Sequence, residues 1–202
     1  AKKYYLKNLN WIDAFPEPDK VFKSVAENVA SLLGVQLSHT TTQTVRTTSK
    51  QEVETVHSVK TYKVGDFYDD GKKQGVVFDV SDDGKHGKII SLDQKQLRWR
   101  TLVQKSIGAT SESDGQSNTD IVMSRSDYKN YPAFVWCREQ GEDWYLPSQN
   151  ELLSLYRVKN QINKLLRDRC KEMINDIWYW SSTECEFCAW NVYMGSGGVE
   201  SS

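Results

Sequence analysis

The chain has 202 residues, 26 Lys+Arg against 27 Asp+Glu, and a formal net charge of -1. With 38% hydrophobic and 26% charged residues it reads as one globular domain, or a small domain beside a larger one, and neither as a disordered nor as a collagen-like chain. Near-zero net charge argues against a nucleic-acid binder, which needs a basic surplus to neutralise phosphates, and no run of about 18 apolar residues is present to span a membrane.

Ala1-Lys2-Lys3-Tyr4-Tyr5 carries neither the n-region nor the h-region of a signal peptide. The expectation is a processed chain whose signal peptide has been removed, or a segment cut from something longer. Residues 18–34 predict a helix: Asp19 caps it, Val21, Phe22, Val25, Val29, Leu32 and Leu33 recur at helical spacing, and Gly34 ends it. Residues 35–59 alternate with period two, as in Val35-Gln36-Leu37-Ser38 and Val53-Glu54-Thr55-Val56, and predict a hairpin around Ser49-Lys50. Residues 1–58 are therefore read as a small helix-plus-hairpin α/β module, with a core too small to be secure alone.

The texture changes near residue 60. Residues 62–68, 75–80 and 88–92 read as strands, joined by turns at Asp69-Asp70-Gly71 and Asp82-Asp83-Gly84. Residues 108–120 read as a polar, solvated loop; its carboxylates lack the spacing and closing Glu of an EF-hand. Residues 128–139 predict a helix with Pro132 near its first turn. Ser148-Gln149-Asn150-Glu151 is a capping box opening a helix that carries Leu152, Leu153, Leu155 and Tyr156, continued by Ile162, Leu165 and Leu166. Residues 177–184 and 189–194 predict two strands. Trp144, Trp180 and Trp190 are expected in the core, and Glu184 carries no assignment.

The four cysteines, Cys137, Cys170, Cys185 and Cys188, allow three pairings. Cys185-Glu186-Phe187-Cys188 is a CxxC with neither a second CxxC nor a His pair to complete a zinc site, and it does not open a helix as a thioredoxin-like motif would. It reads as a local disulfide or as two free thiols. No phosphate-binding loop, metalloprotease motif, nucleophile elbow or dinucleotide fingerprint occurs, and all three histidines precede residue 87. The expectation is no catalytic residue, no metal and no cofactor.

Several blocks recur in order over about 140 residues: Tyr62-Lys63-Val64-Gly65-Asp66-Phe67-Tyr68, Gly75-Val76-Val77-Phe78, Gly84-Lys85-His86-Gly87-Lys88-Ile89, Tyr131-Pro132-Ala133-Phe134-Val135-Trp136-Cys137, Trp144-Tyr145-Leu146-Pro147-Ser148 with Glu151-Leu152, and Tyr179-Trp180-Ser181-Ser182-Thr183-Glu184 with Ala189-Trp190. In these blocks residues 59–202 resemble the C-terminal domain of the Legionella collagen-like adhesin type, found in bacterial surface proteins. The resemblance implies an α+β, C-type-lectin-like domain of two helices against small antiparallel sheets, with outline similarity to formylglycine-generating enzymes and retroelement variable proteins. It implies binding through the last strands and their loops. Carried onto this sequence, the ligand-binding positions are Trp190, Asn191, Tyr193, Ser196 and Glu200, with Trp190, Val192 and Met194 facing one way and Asn191 and Tyr193 exposed on the other.

Calcium-dependent lectins carry Glu-Pro-Asn and Trp-Asn-Asp motifs. Here Trp190-Asn191-Val192 lacks the carboxylate and Glu-Pro-Asn is absent, so calcium-bridged sugar binding is not carried over. The arginine-bearing strand that closes relatives has no counterpart in residues 197–202. Residues 1–58 faintly resemble small domains of envelope lipoproteins. The reading from sequence is thus a bacterial envelope or extracellular binding protein for a glycan or a surface protein, with homo-oligomerisation left open. The alternatives are an assembly module and an enzyme related to formylglycine-generating enzymes.

Overall fold

The chain divides into two compact units, one comprising Ala1–Phe15 with Tyr62–Ser202 and the other Pro16–Thr61. A computed structural model describes Leu6–Asn8, Trp11–Asp13 and residues 60–101 and 106–202. The expected helix over 18–34 and hairpin over 35–59 lie outside the described residues.

Among the described residues the first unit holds nine strands and three α-helices. The strands are β1 (Leu6–Asn8), β2 (Trp11–Asp13), β3 (Phe67–Asp69), β4 (Gln74–Val80), β5 (Gly87–Ile90), β6 (Lys95–Leu97), β7 (Trp178–Cys185), β8 (Cys188–Tyr193) and β9 (Gly198–Ser201). The helices are α1 (Gly115–Met123), α2 (Pro132–Glu139) and α3 (Gln149–Asp168). They accompany a five-stranded sheet ordered β6-β1-β7-β8-β9 and a four-stranded sheet ordered β2-β5-β4-β3. The architecture is mixed helix and sheet, α+β as expected, with a third helix beyond the two foreseen.

The division expected between residues 58 and 59 does not follow these pairings. Strand β1 sits between β6 and β7, antiparallel to the first and parallel to the second, and β2 extends the other sheet beside β5. Two three-residue strands from the chain's start thus belong to the sheets of the 62–202 unit. The β3-β4-β5 meander forms, with an irregularity between Val77 and Asp79, but its first strand is Phe67–Asp69 rather than residues 62–68, because a turn closed by the Asp66 N–H on Lys63 O precedes it.

The 108–120 loop is corrected in part. Its second half is helical, because Asp114 caps α1 by accepting from the Ser117 N–H at 2.8 Å. Residues 128–139 are also split: a 3-10 turn covers Tyr128–Asn130, and α2 starts at Pro132, whose missing N–H costs nothing in a first turn. Helix α3 runs unbroken for 20 residues from the predicted capping box. Its stripe of Leu152, Leu155, Ile162 and Leu166 enters the first core cluster with Val76, Phe78, Ile90, Tyr179, Val192 and Met194. Each such side chain contributes roughly 1.5–3 kcal/mol. A second cluster gathers Trp99, Tyr131, Phe134, Trp136, Trp180 and Ala189. Of the three tryptophans expected in the core, Trp144 and Trp180 are there, but Trp190 is only half-buried.

Tyr179 shows how tightly the first cluster is sealed. Its hydroxyl accepts from the Asn175 N–H (3.1 Å) and donates to Gln94 Oε1 (2.9 Å). Burial, reinforced by Asp176 and opposed by the Asn175 N–H, pushes its phenol up to about 12. The fold therefore favours the neutral phenol. That stabilisation is complete below the unfolded value near 10 and is lost as pH rises through the folded value, amounting to about 2–3 kcal/mol. Urea midpoints between pH 9 and 12 are expected to fall more for the wild type than for Tyr179→Phe; equal slopes would contradict this.

Candidate functional site

The last three strands position the candidate site, and the irregular part of β7 decides how. Near the hairpin tip Cys185 pairs with Cys188 and Glu184 with Ala189, but further along Trp180 pairs with Asn191 and Trp178 with Tyr193. Three residues, Ser181, Ser182 and Thr183, therefore stand against Trp190 alone: a bulge that takes their polar groups out of the ladder. These groups turn to the loops instead. The Ser182 N–H donates to Pro147 O (2.6 Å), Thr183 Oγ1 donates to Ser111 O (2.9 Å) and accepts from the Gln149 N–H (3.0 Å), and Asn118 Nδ2 donates to Ser182 Oγ (3.1 Å). Trp99 Nε1 donates to Ser181 O at 2.8 Å.

Two buried carboxylates complete this scaffold. Glu184 accepts from the Ile107 and Gly108 N–H groups and from Ser106 Oγ at 2.7 Å. Glu151 accepts from Ser148 N–H and Oγ, the Gly115 N–H, the Tyr145 hydroxyl and Lys88 Nζ. At Gly115 a Cβ would lie 2.6 Å from Glu151 Oε2 and from Leu146 O, so only glycine lets α1 begin there.

Cross-strand partners share a face. One face of the sheet thus carries a row of Trp178, Tyr193 and Gly198 and a second row of Trp180, Asn191 and Glu200. Trp190 belongs to the opposite face, with Val192 and Val199. Of the predicted ligand residues, Tyr193 and Glu200 come together on one face, Ser196 is exposed in the turn between β8 and β9, and Trp190 stands apart. Asn191 is corrected: it is 3% exposed, and its Nδ2 donates to Ser202 Oγ at 2.8 Å. Strand β8 is interior to the sheet, and Trp180, next to Asn191 in its row, packs into the second cluster, so the Trp180–Asn191 part of this row is covered.

Only the outer row is left partly open. The Trp178 and Tyr193 rings meet at 5.3 Å between centroids, tilted by 42°, and both are half-buried. Gly198 continues the row without a side chain. A Cβ there would meet nothing nearer than Ser196 Oγ at 3.4 Å, which leaves room beside the Tyr193 ring. Lys159 anchors the adjoining turn, donating to Met194 O (2.5 Å) and pairing with Asp176. Glu200 is exposed at the far edge. Trp178 is the site residue that sequence reasoning missed. Its only signal there was its place in a predicted strand, and a regular hairpin register would have set Trp180 opposite Tyr193 instead.

No family model, curated protein or solved structure matches this chain. Among the described residues no group of three or more His, Cys, Asp or Glu side chains could hold a metal ion, and no helix is long and apolar enough to cross a membrane. Cys185 and Cys188 form a local disulfide at the hairpin tip, where Phe187 is 61% exposed. Cys137 lies buried outside any disulfide, its thiol pushed well up by that burial, and Cys170 is exposed and also outside any disulfide.

Proposed function

We propose that the 62–202 unit is a binding module of a bacterial envelope or surface protein, a C-type-lectin-like domain of the collagen-like adhesin type, which recognises a glycan or a surface protein. The observation that carries this reading is the half-open Trp178–Tyr193 pair beside the side-chain-free Gly198. Two rigid rings offer a large contact area at little entropic cost, and an indole N–H and a phenol hydroxyl fix the orientation of what stacks on them. Ser196 and Glu200 supply the polar rim. The C-type-lectin-like reading draws its support from the sequence blocks, whose Trp144–Ser148 and Tyr179–Glu184 stretches are the bonded scaffold described above. Binding is favoured over catalysis because both buried carboxylates, Glu151 and Glu184, are engaged by N–H and O–H groups of the fold.

The test is a glycan array probed with the intact chain, with and without calcium, beside Trp178→Ala/Tyr193→Ala. Specific binding weakened about tenfold per ring is expected, with the double variant still folded by circular dichroism. Binding that survives the double variant would mean the ligand face lies elsewhere. An assembly role has its own support, since β9 is an edge strand of the five-stranded sheet and such an edge can accept another chain. A sedimentation experiment showing a concentration-dependent dimer, abolished by a proline at Val199, would favour it.

A further inference from the structure

Away from the aromatic row, a cleft of about 290 Å³ lies between residues 64–66 and helix α3. Its near wall is fixed to the sheet: the Gly65 N–H donates to Val77 O (2.7 Å), and the Val77 N–H donates back to Asp66 O (2.9 Å). Its far wall is fixed to the near one, because Gln161 Nε2 donates to Val64 O. Gly65 has φ +90°, and a Cβ there would stand 3.0 Å from Gln161 Cγ, so a glycine lets the turn lie this close to the helix.

Gln161, Lys164, Leu165 and Asp168 occupy one stripe of α3, at the spacing that stacks side chains on a single face. Lys164 and Asp168 are four apart, yet they form no ion pair; a cation N-terminal to its anion is the weaker arrangement on a helix. The cleft is lined by Lys164, by Asp66 and Asp168, and by Val64 and Leu165; Asp66 Oδ2 accepts from the Lys63 N–H at 2.9 Å, so its Oδ1 is the oxygen left to a ligand. One positive and two negative groups leave a net charge of -1. The volume is at the small end of ligand sites, about 300 Å³.

We propose that this cleft binds a small diamino acid, its carboxylate toward Lys164, its two ammonium groups toward Asp66 and Asp168, and its methylene chain along Val64 and Leu165. The charges complement one another group for group, which neither a neutral nor an acidic amino acid achieves. This site is independent of the aromatic row and of any ligand bound there.

The experiment is a titration of the intact, isotope-labelled chain with L-lysine, L-alanine and L-glutamate, following the amide resonances of Gly65 and Asp66. Lysine is expected to give saturable shifts at millimolar concentration, alanine to bind about tenfold more weakly, and glutamate to give none. Asp168→Asn and Lys164→Met, both at exposed positions that leave the fold intact, should each weaken lysine about tenfold. Absence of saturation with lysine overturns the proposal, as does equal binding of lysine and alanine, or lysine binding unchanged in both variants.

Discussion

Replacing Glu151 with Ala is expected to lower the unfolding free energy by about 3–5 kcal/mol, the range for breaking a buried charge pair from one side. The residue is 7% exposed and serves five donors from four residues in three segments of the chain. Removing it strips the capping box from α3, worth about 1 kcal/mol alone. It also leaves the Gly115 N–H without its carboxylate acceptor and takes the Glu151 contact away from the Tyr145 hydroxyl and from Lys88, itself largely covered. Urea denaturation should show the midpoint falling with an unchanged slope. Pairing Glu151→Gln with Lys88→Met should cost less than the sum of the two single changes, because the ion pair they share is lost only once. A loss below about 1 kcal/mol in Glu151→Ala would show that packing, not this carboxylate, holds α1, α3 and β5 together.

The second large effect is expected at Glu184. Its carboxylate collects Ile107 N–H at 2.8 Å, Gly108 N–H at 3.0 Å and Ser106 Oγ at 2.7 Å, while its own N–H donates to Ala109 O at 2.7 Å. Hydrogen bonds to a charged acceptor are worth about 1.5–3 kcal/mol each, and their loss is partly recovered by relaxation and water. Glu184→Ala should therefore cost about 3 kcal/mol overall and raise hydrogen exchange at Ile107 and Gly108 about a hundredfold, since exchange reads the free energy of local opening. The conservative Glu184→Gln keeps one acceptor and should fall between. Unaltered exchange at both amides would mean that Ile107 and Ala109, buried in the second cluster, anchor the loop by packing alone.

The unequal legibility of these two carboxylates has a physical cause. Glu151 was readable because its cap is local: Ser148 and Glu151 are three residues apart, and that spacing is itself the signal. Glu184 has partners 76 to 78 residues away, brought to it only by the fold. Helix α1 was missed for a related reason. Its buried residues are Gly115, Asn118, Thr119 and Val122, so a search for apolar spacing finds one position where four are covered. Asn118 can be buried because Ser111 and Ser182 satisfy it, and Ser182, 64 residues away, is brought to it only by the fold. Strands β1, β2 and β9 have three or four residues each, too few for alternation to register.

At the candidate site the alternation of β8 was legible, and Val192 and Met194 face the core as the period of two requires. Two facts were not. Asn191 is covered because its row lies within the sheet and against a second core cluster, a matter of what packs on the face. Trp178 meets Tyr193 because the bulge at Ser181–Thr183 displaces the pairing by two residues. An even displacement keeps every side chain on its own face and changes only its neighbour.

The sequence by itself determined the local elements of the 62–202 unit: the meander with its Asp-Gly turns, the capped helix α3 and the closing hairpin. Each depends on spacing within a few residues, where sterics and backbone hydrogen bonding act. The tertiary structure alone decided that the chain's first strands enter both sheets, which carboxylates lock which loops, and which aromatic ring Tyr193 meets. Those outcomes turn on pairings between distant segments, chosen by what each can bury and satisfy against the others.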